Sequence, residues 1–183
     1  MLFRSDYYQA RWSDADIRIW ADGSGKPHAL GKWNDYLSTK LDIAIAHTAQ
    51  FVVAVVAANA HVGVDVESVQ RDLSDEFTAG VFTPDELELA TDAADASRAL
   101  IRFWCAKEAV SKALGTGIRY SPREMRVANF IADTGTVEVR LEGAWADAFK
   151  AFRGRGIEVT VRIVREHALA SCFIPATLFG DES

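Results

Sequence analysis

Cysteine is scarce: Cys105 and Cys172 are the only two in 183 residues. Two thiols cannot build a disulfide scaffold or a four-cysteine zinc site. Long apolar runs are also missing. The longest, residues 51–58, has 8 residues, whereas a membrane-spanning helix needs about 20. The opening segment Met1-Leu2-Phe3-Arg4-Ser5-Asp6 has no apolar signal core, so nothing marks the chain for export. Low-complexity segments, linkers and short-period repeats are absent as well. What remains is 49% apolar and 25% charged. That is enough to bury a sizeable core, and it excludes disordered, collagenous and mucin-like classes. The expectation is a soluble, cytoplasmic protein of a reducing compartment, built as one domain or as two small parts sharing a core.

The net charge of -6 weighs against a general nucleic-acid binder. The charge is uneven, however. Seven basic residues (Arg98, Arg102, Lys107, Lys112, Arg119, Arg123 and Arg126) share one stretch with two acidic ones, Glu108 and Glu124. Such a window is either a solvated, charge-decorated helix and loop, or a site for an anionic ligand or acidic partner.

Residues 16–21 alternate as a short strand, followed by a turn over Asp22-Gly23-Ser24-Gly25-Lys26-Pro27. Residues 42–46, 51–58 and 62–67 are Val- and Ile-rich strands with short connections. Thr83-Pro84-Asp85-Glu86 starts a helix, with Thr83 as cap and Glu86 completing a capping box. A second helix is predicted over 96–114, ended by Gly115-Thr116-Gly117. A strand pair over 125–131 and 136–141, a helix over 144–152 and a hairpin over 157–164 and 168–174 complete the chain. Hairpin-length connections favour antiparallel pairing, so the predicted class is α+β rather than doubly wound α/β.

Three constellations carry possible chemistry. In Gly63-Val64-Asp65-Val66-Glu67 the two carboxylates lie on one face of a strand. They form either a polar strand edge or a pair of hard oxygen ligands suited to Mg²⁺ and a phosphate-bearing substrate. In Trp104-Cys105-Ala106-Lys107-Glu108-Ala109-Val110-Ser111-Lys112, Glu108 and Lys112 are four apart on one helix face. That spacing suits a surface ion pair, or a metal ligand or base next to a phosphate clamp. The apolar flanks and the terminal Gly-Thr-Gly indicate a half-buried helix with one polar face kept for a ligand. His47, in Ala46-His47-Thr48, falls at a junction of two apolar strands and is either structural or a ligand contact.

Taken in order, Gly25-Lys26-Pro27, Ala46-His47-Thr48, Gly63-Val64-Asp65-Val66-Glu67 and Trp104-Cys105-Ala106-Lys107-Glu108-Ala109-Val110-Ser111-Lys112 resemble the 4′-phosphopantetheinyl transferases. The family motifs are roughly G-K-P, S-H-[ST], G-[IV]-D-[IV]-E and W-[ST]-x-K-E-[AS]-x-x-K, and the last two at this separation are specific. The histidine motif and the Asp65, Glu67 pair follow the larger surfactin-type branch. Lys112-Ala113-Leu114-Gly115-Thr116-Gly117-Ile118 is closer to the short holo-acyl-carrier-protein synthase branch. Ala46 stands where the family has serine, and Cys105 where it has serine or threonine. The resemblance implies an α+β pseudo-dimer with a shortened first half (residues 1–62) and a second half (63–183) carrying the metal motifs. The short first half also fits a domain excised from a polyketide or fatty-acid synthase.

The resemblance further implies transfer of the phosphopantetheine arm of coenzyme A to a serine of an apo acyl or peptidyl carrier protein, releasing 3′,5′-ADP. Asp65, Glu67 and Glu108 would hold Mg²⁺ (or Mn²⁺), with Glu108 also as candidate base. Lys112 would lie along the pyrophosphate. Lys26 and His47 would take the 3′-phosphate, and Lys107 would touch phosphate or only pack. The basic window would face the acidic carrier. No nucleic acid or membrane partner is expected, and the two branches imply a monomer or a trimer. A catalytically degenerate coenzyme-binding or carrier-docking module is the alternative. A metal-dependent nuclease fits less well, because such sites usually place the acid and lysine two apart on a strand.

Overall fold

A computed structural model of the chain describes residues 17–31, 41–91, 93 and 95–179. The N-terminal hexapeptide considered above and Asp16 of the first predicted strand lie outside them. The described elements are β1 (Ile17–Ala21), β2 (Pro27–Gly31), β3 (Leu41–His47), β4 (Val52–Ala58), β5 (Ala60–Ser68), α1 (Asp75–Val81), α2 (Pro84–Thr91), α3 (Ala96–Ala113), β6 (Met125–Ile131), β7 (Thr136–Leu141), α4 (Gly143–Ala148), β8 (Gly156–Val164) and β9 (His167–Pro175). All pairings are antiparallel, as the short connections predict, and the class is α+β. No helix among the described residues is long and apolar enough to cross a membrane.

The sheets are the β1–β2 hairpin, the β3–β4 hairpin and a five-stranded sheet in the order β5-β9-β8-β7-β6. The last four strands form a meander, and β5 joins it beside β9. Arg165 and Glu166, both left-handed (φ 46° and 60°), turn β8 into β9 in the conformation a two-residue hairpin needs. At β5, the outer backbone N–H of Val62 donates to the Asp42 carboxylate on β3, 2.7 Å away. A side chain thereby satisfies an edge group that would otherwise be open to pairing.

β5 has two different neighbours because side chains alternate along a strand. Val62, Val64 and Val66 pack with Ala44 and Ala46 of β3. Gly63, Asp65 and Glu67 point the opposite way, toward α3. α3 covers the five-stranded sheet and its buried side, including Phe103, Cys105, Ala106, Ala109 and Val110, joins the main core with Met125, Val139, Val159 and Ala170.

Two elements go beyond the sequence expectation. α1 is capped by Ser74, whose hydroxyl accepts from Phe77 N. β2 is a short strand between Pro27 and Gly31 that pairs with β1. The predicted helix over 144–152 is instead α4 followed by a separate 3-10 turn at Lys150–Phe152.

The core contains a fully buried ion pair. Lys107 Nζ lies 2.8 Å from Glu86 Oε1 with both side chains 0% exposed. The same ammonium donates to the carbonyls of Val81 (2.8 Å) and Pro122 (3.0 Å). Glu86 in turn accepts from Thr83 N and Val127 N, each 2.7 Å away, and Glu86 N donates to Thr83 Oγ1 at 3.3 Å, closing the predicted capping box. Burial pulls the Lys107 ammonium below its usual range, and Glu86 opposes that shift. The charges are paired and their remaining valences filled, which is the condition for tolerating ions in a core. Lys107→Met strands the Glu86 carboxylate. It should cost about 3–5 kcal/mol by urea unfolding, and adding Glu86→Gln should recover part of that loss.

Candidate functional site

The site is generated by the fit of α3 on β5. From Phe103 to Ala113 every residue of α3 is buried except Trp104, Glu108 and Lys112. These three are spaced by four and form one stripe. Four residues of helix rise about 6 Å, and two residues of strand about 6.7 Å. A helix stripe read every fourth residue therefore keeps pace with a strand face read every second residue. The contacts follow that register in opposite directions. Trp104 Nε1 donates to Glu67 Oε1 at 3.1 Å, and Lys112 Nζ lies 2.7 Å from Asp65 Oδ1. Beyond Asp65, a methyl on Gly63 would overlap the backbone of Ala109 and Ala113. Glycine here is what allows helix backbone to rest directly on strand backbone.

Glu108 lies between Trp104 and Lys112 on the stripe. Its carboxyl is pushed up to about 7, first by burial and then by Asp65; Lys112 pulls it down, Glu67 raises it and Arg71 lowers it. The three predicted metal ligands thus share one electrostatic environment. They do not close on one point: among the described residues no group of three or more His, Cys, Asp or Glu side chains is placed to hold an ion. The oxygens are turned to resident cations instead. Asp65 faces Lys112, and Glu67 faces Arg71 as well as Trp104. Asp65 Oδ2 is nevertheless buried without a hydrogen-bond partner. An orphaned carboxylate oxygen beside two further carboxylates, one of them raised first by burial and then by Asp65, is a place short of positive charge. The hard oxygen set is the kind that suits Mg²⁺.

The helix ends in the predicted glycine signal. Gly115 (φ 77°) donates from its N–H to Lys112 O, and Thr116 N donates to Ser111 O. This pair of bonds closes a helix C-terminus around a left-handed glycine. Ser24 Oγ, whose proton lies foremost toward Asp22 Oδ1 at 2.6 Å, also approaches the Gly115 carbonyl at 3.2 Å, which sets the β1–β2 turn against the end of α3. Between them lies a cleft of about 160 Å³ lined in part by Lys26, Pro27, Ala44, Lys112 and Gly117. Lys26 and Lys112, remote in sequence, therefore meet at one cavity. Lys26 Nζ is held at 2.9 Å by Asp42, a partner that sequence reasoning missed because β3 and the turn are separated by 14 positions of unrelated pattern.

The other two predicted coenzyme contacts fare differently. His47 is exposed at the end of β3, opposite Val52 and beyond the Ile43–Ile45 part of that strand that borders the cleft. Of the two alternatives for Lys107, phosphate contact or packing, the structure shows packing: it points into the core, and its ammonium is consumed by Glu86, Val81 O and Pro122 O. One position along a helix is about 100° of rotation, enough to send Lys107 inward while Glu108 stays at the site. Cys105, where the family has a hydroxyl, is buried, and burial foremost pushes its thiol well up. It therefore stays protonated and serves as a small hydrophobe.

Two outcomes follow from this geometry. Gly63→Ala should cost about 1–3 kcal/mol by urea unfolding, since neither backbone can yield locally. A carboxyl raised in the folded state stabilises the fold fully below its unfolded value, and that contribution is lost as pH rises through the folded value. In excess chelator, the native chain should lose stability relative to Glu108→Gln between pH 4.5 and about 7, by roughly 3 kcal/mol at most. Parallel stability–pH curves for the two proteins would place Glu108 in water-like surroundings.

The profile of the 4′-phosphopantetheinyl transferase superfamily matches residues 61–172, the stretch from β5 to β9 that holds the carboxylates and α3. The chain is 37% identical over 117 residues to the holo-[acyl-carrier-protein] synthase of Cereibacter sphaeroides, covering 60% of this chain and 84% of that protein. To the protein of the same name from a Methylobacterium species it is 32% identical over 126 residues, covering 65% and 92%. The crystal structure of holo-[acyl-carrier-protein] synthase from Neisseria meningitidis superposes with a TM-score of 0.49 at 23% identity, over 62% of this chain and 96% of that one. The motifs on β5 and α3 and the superfamily match cover the same residues, and the chain belongs to the 4′-phosphopantetheinyl transferase superfamily.

Proposed function

We propose that the protein transfers the 4′-phosphopantetheine arm of coenzyme A to a serine of an apo acyl carrier protein, as a holo-[acyl-carrier-protein] synthase-type enzyme, with release of 3′,5′-ADP. The observation that carries this reading is the half-exposed stripe Trp104, Glu108, Lys112 on the otherwise buried Phe103–Ala113 stretch of α3, facing Asp65 and Glu67. Asp65, Glu67 and Glu108 would hold Mg²⁺, and Mn²⁺ would substitute. When bound, the ion supplies charge neutralisation on the pyrophosphate.

The chain's own residues supply the rest. Glu108, whose carboxyl is raised to about 7 by burial foremost while no ion is bound, is the candidate base for the serine proton. Lys112 stands between the carboxylates and the cleft, where an ammonium opposes charge developing on the leaving phosphate. Lys26, in the same cleft, would take the 3′-phosphate together with His47 at the end of β3. The Lys26 charge is already shared with Asp42, so the cleft holds its anion by geometry more than by surplus charge.

Much of the basic window is internally matched. Arg98 pairs with Asp95 and Glu166, Arg126 with Glu142, and Lys107 and Lys112 with carboxylates already described. Arg102, Arg119 and Arg123 have no ion-pair partner among the described residues, and they would meet the acidic carrier. The same reading divides the chain near Gly63. A shortened first half, 1–62, would contribute the hairpins that border the cleft, and 63–183 the sheet, the carboxylates and α3, as in a pseudo-dimer.

The test is incubation of the full chain with coenzyme A, Mg²⁺ and an apo acyl carrier protein, followed by mass spectrometry of the carrier. Gain of one phosphopantetheine arm is expected. It should stop in excess EDTA and fall about 10²–10⁴-fold in Glu108→Gln, the usual contribution of a positioned base. Coenzyme A binding without transfer would assign a docking module instead.

A further inference from the structure

Glu67 carries two donors on the same oxygen. Trp104 Nε1 reaches Oε1 at 3.1 Å, and Arg71 Nη1 donates to that atom from four residues further along the chain. Arg71 is itself shelved. Its guanidinium carbon lies 4.8 Å from the centre of the Phe77 ring and 6.0 Å from that of Trp104, and those two rings meet edge-on at 5.1 Å. The arginine is therefore held by one carboxylate and two aromatic faces from α1 and α3. It does not border the cleft that Lys26 and Lys112 share. On the same strand face, Asp65 gives one oxygen to Lys112 and leaves the other buried and bare.

We propose that Arg71 is the resident counter-cation of the carboxylate site: it occupies Glu67 while no divalent ion is bound, and its displacement sets the affinity for that ion. The inference rests on the reading that Asp65, Glu67 and Glu108 hold a metal. Three features support it. An arginine does not lose its charge by deprotonation, so it competes with a divalent ion at every working pH. Its side chain is 36% exposed, so the pair is a modest one and can open. The Phe77 and Trp104 rings give the guanidinium a cation–π resting place when Glu67 turns away, so exchange does not require the arginine to return fully to water. Lys112 cannot serve this role alone, because it also faces the ligand cleft.

The experiment is a Mn²⁺ titration of the full chain, with and without coenzyme A, following free aqueous Mn²⁺ by electron paramagnetic resonance. Native protein, Arg71→Gln, Arg71→Lys and Glu67→Gln are compared. Removing the competing charge should tighten Mn²⁺ binding in Arg71→Gln by about two- to fivefold, the range of a partly exposed ion pair. Arg71→Lys, which keeps the charge, should stay within about twofold of native. Equal or weaker binding by Arg71→Gln, with Glu67→Gln weakened, would overturn the counter-cation and leave the carboxylate site standing. Absence of Mn²⁺ binding by the native chain and by Arg71→Gln, with coenzyme A or without it, would remove the carboxylate site and the inference together.

Discussion

The absence of a side chain at Gly63 controls where everything else at the site can be. With no Cβ, β5 admits the Ala109 carbonyl and the Ala113 amide at its surface. That contact fixes both the height and the phase of α3 over the strand. Height matters because Lys112 and Trp104 reach their carboxylates directly, at 2.7 and 3.1 Å. Phase matters because a rotation of one residue, about 100°, exchanges Glu108 for Lys107. The core reads that same phase from the other side. Lys107 is accepted only where Glu86, Val81 and Pro122 already offer oxygens, so the buried ion pair and the strand glycine lock one rotational setting of one helix. The pair adds little net stability over apolar packing, but a helix turned wrongly would bury an ammonium without a partner.

Electrostatically the two sides of α3 are opposites. On the core side, one positive and one negative charge are matched and every valence of each is filled. On the β5 side, three carboxylates face two cations; Asp65 keeps a bare oxygen and Glu108 is lifted to about 7. The first arrangement is what a fold selects for burial without water. The second is what a fold does not keep for its own sake, since like charges side by side and an unsatisfied oxygen both oppose folding. Residual frustration of this kind supports the proposed cation site, where an added positive charge would relieve it.

The sequence showed the motif-bearing elements well and the long-range partners poorly. Strand alternation placed Asp65 and Glu67 on one face, and the i, i+4 spacing placed Glu108 with Lys112. Those are local rules, and the structure follows them. Lys107 stayed open between a phosphate contact and packing because a motif records which residues recur, not which way each points. Its inward course follows from Glu86, 21 positions earlier, and a capping box at Thr83 gave no hint that its glutamate had a second duty. α1 and β2 were missed because they are short, seven and five residues long. In such elements the cap or the partner strand carries the stability, and intrinsic pattern carries little. Asp42 was invisible for a similar reason. Its partners, Lys26 Nζ and Val62 N, belong to two other strands or turns that only tertiary packing brings together.

Those last contacts connect the two parts of the chain. Asp42 spends its oxygen on a cleft lysine and on the open edge of β5 at once, so the carboxylate that positions Lys26 also holds the strand bearing Asp65 and Glu67. Ser24 does the equivalent at the other end, tying the β1–β2 turn to the carbonyl released by Gly115. The cleft therefore has no wall that is independent of the carboxylate face. A shift of β5 moves Val62, hence Asp42 and Lys26; a shift of α3 moves Lys112 and Gly115, hence Ser24. The superfamily match begins at residue 61, at the strand itself, and the β3–β4 hairpin before it is attached both by these polar contacts and by the apolar packing of Ala44 and Ala46 on Val62, Val64 and Val66.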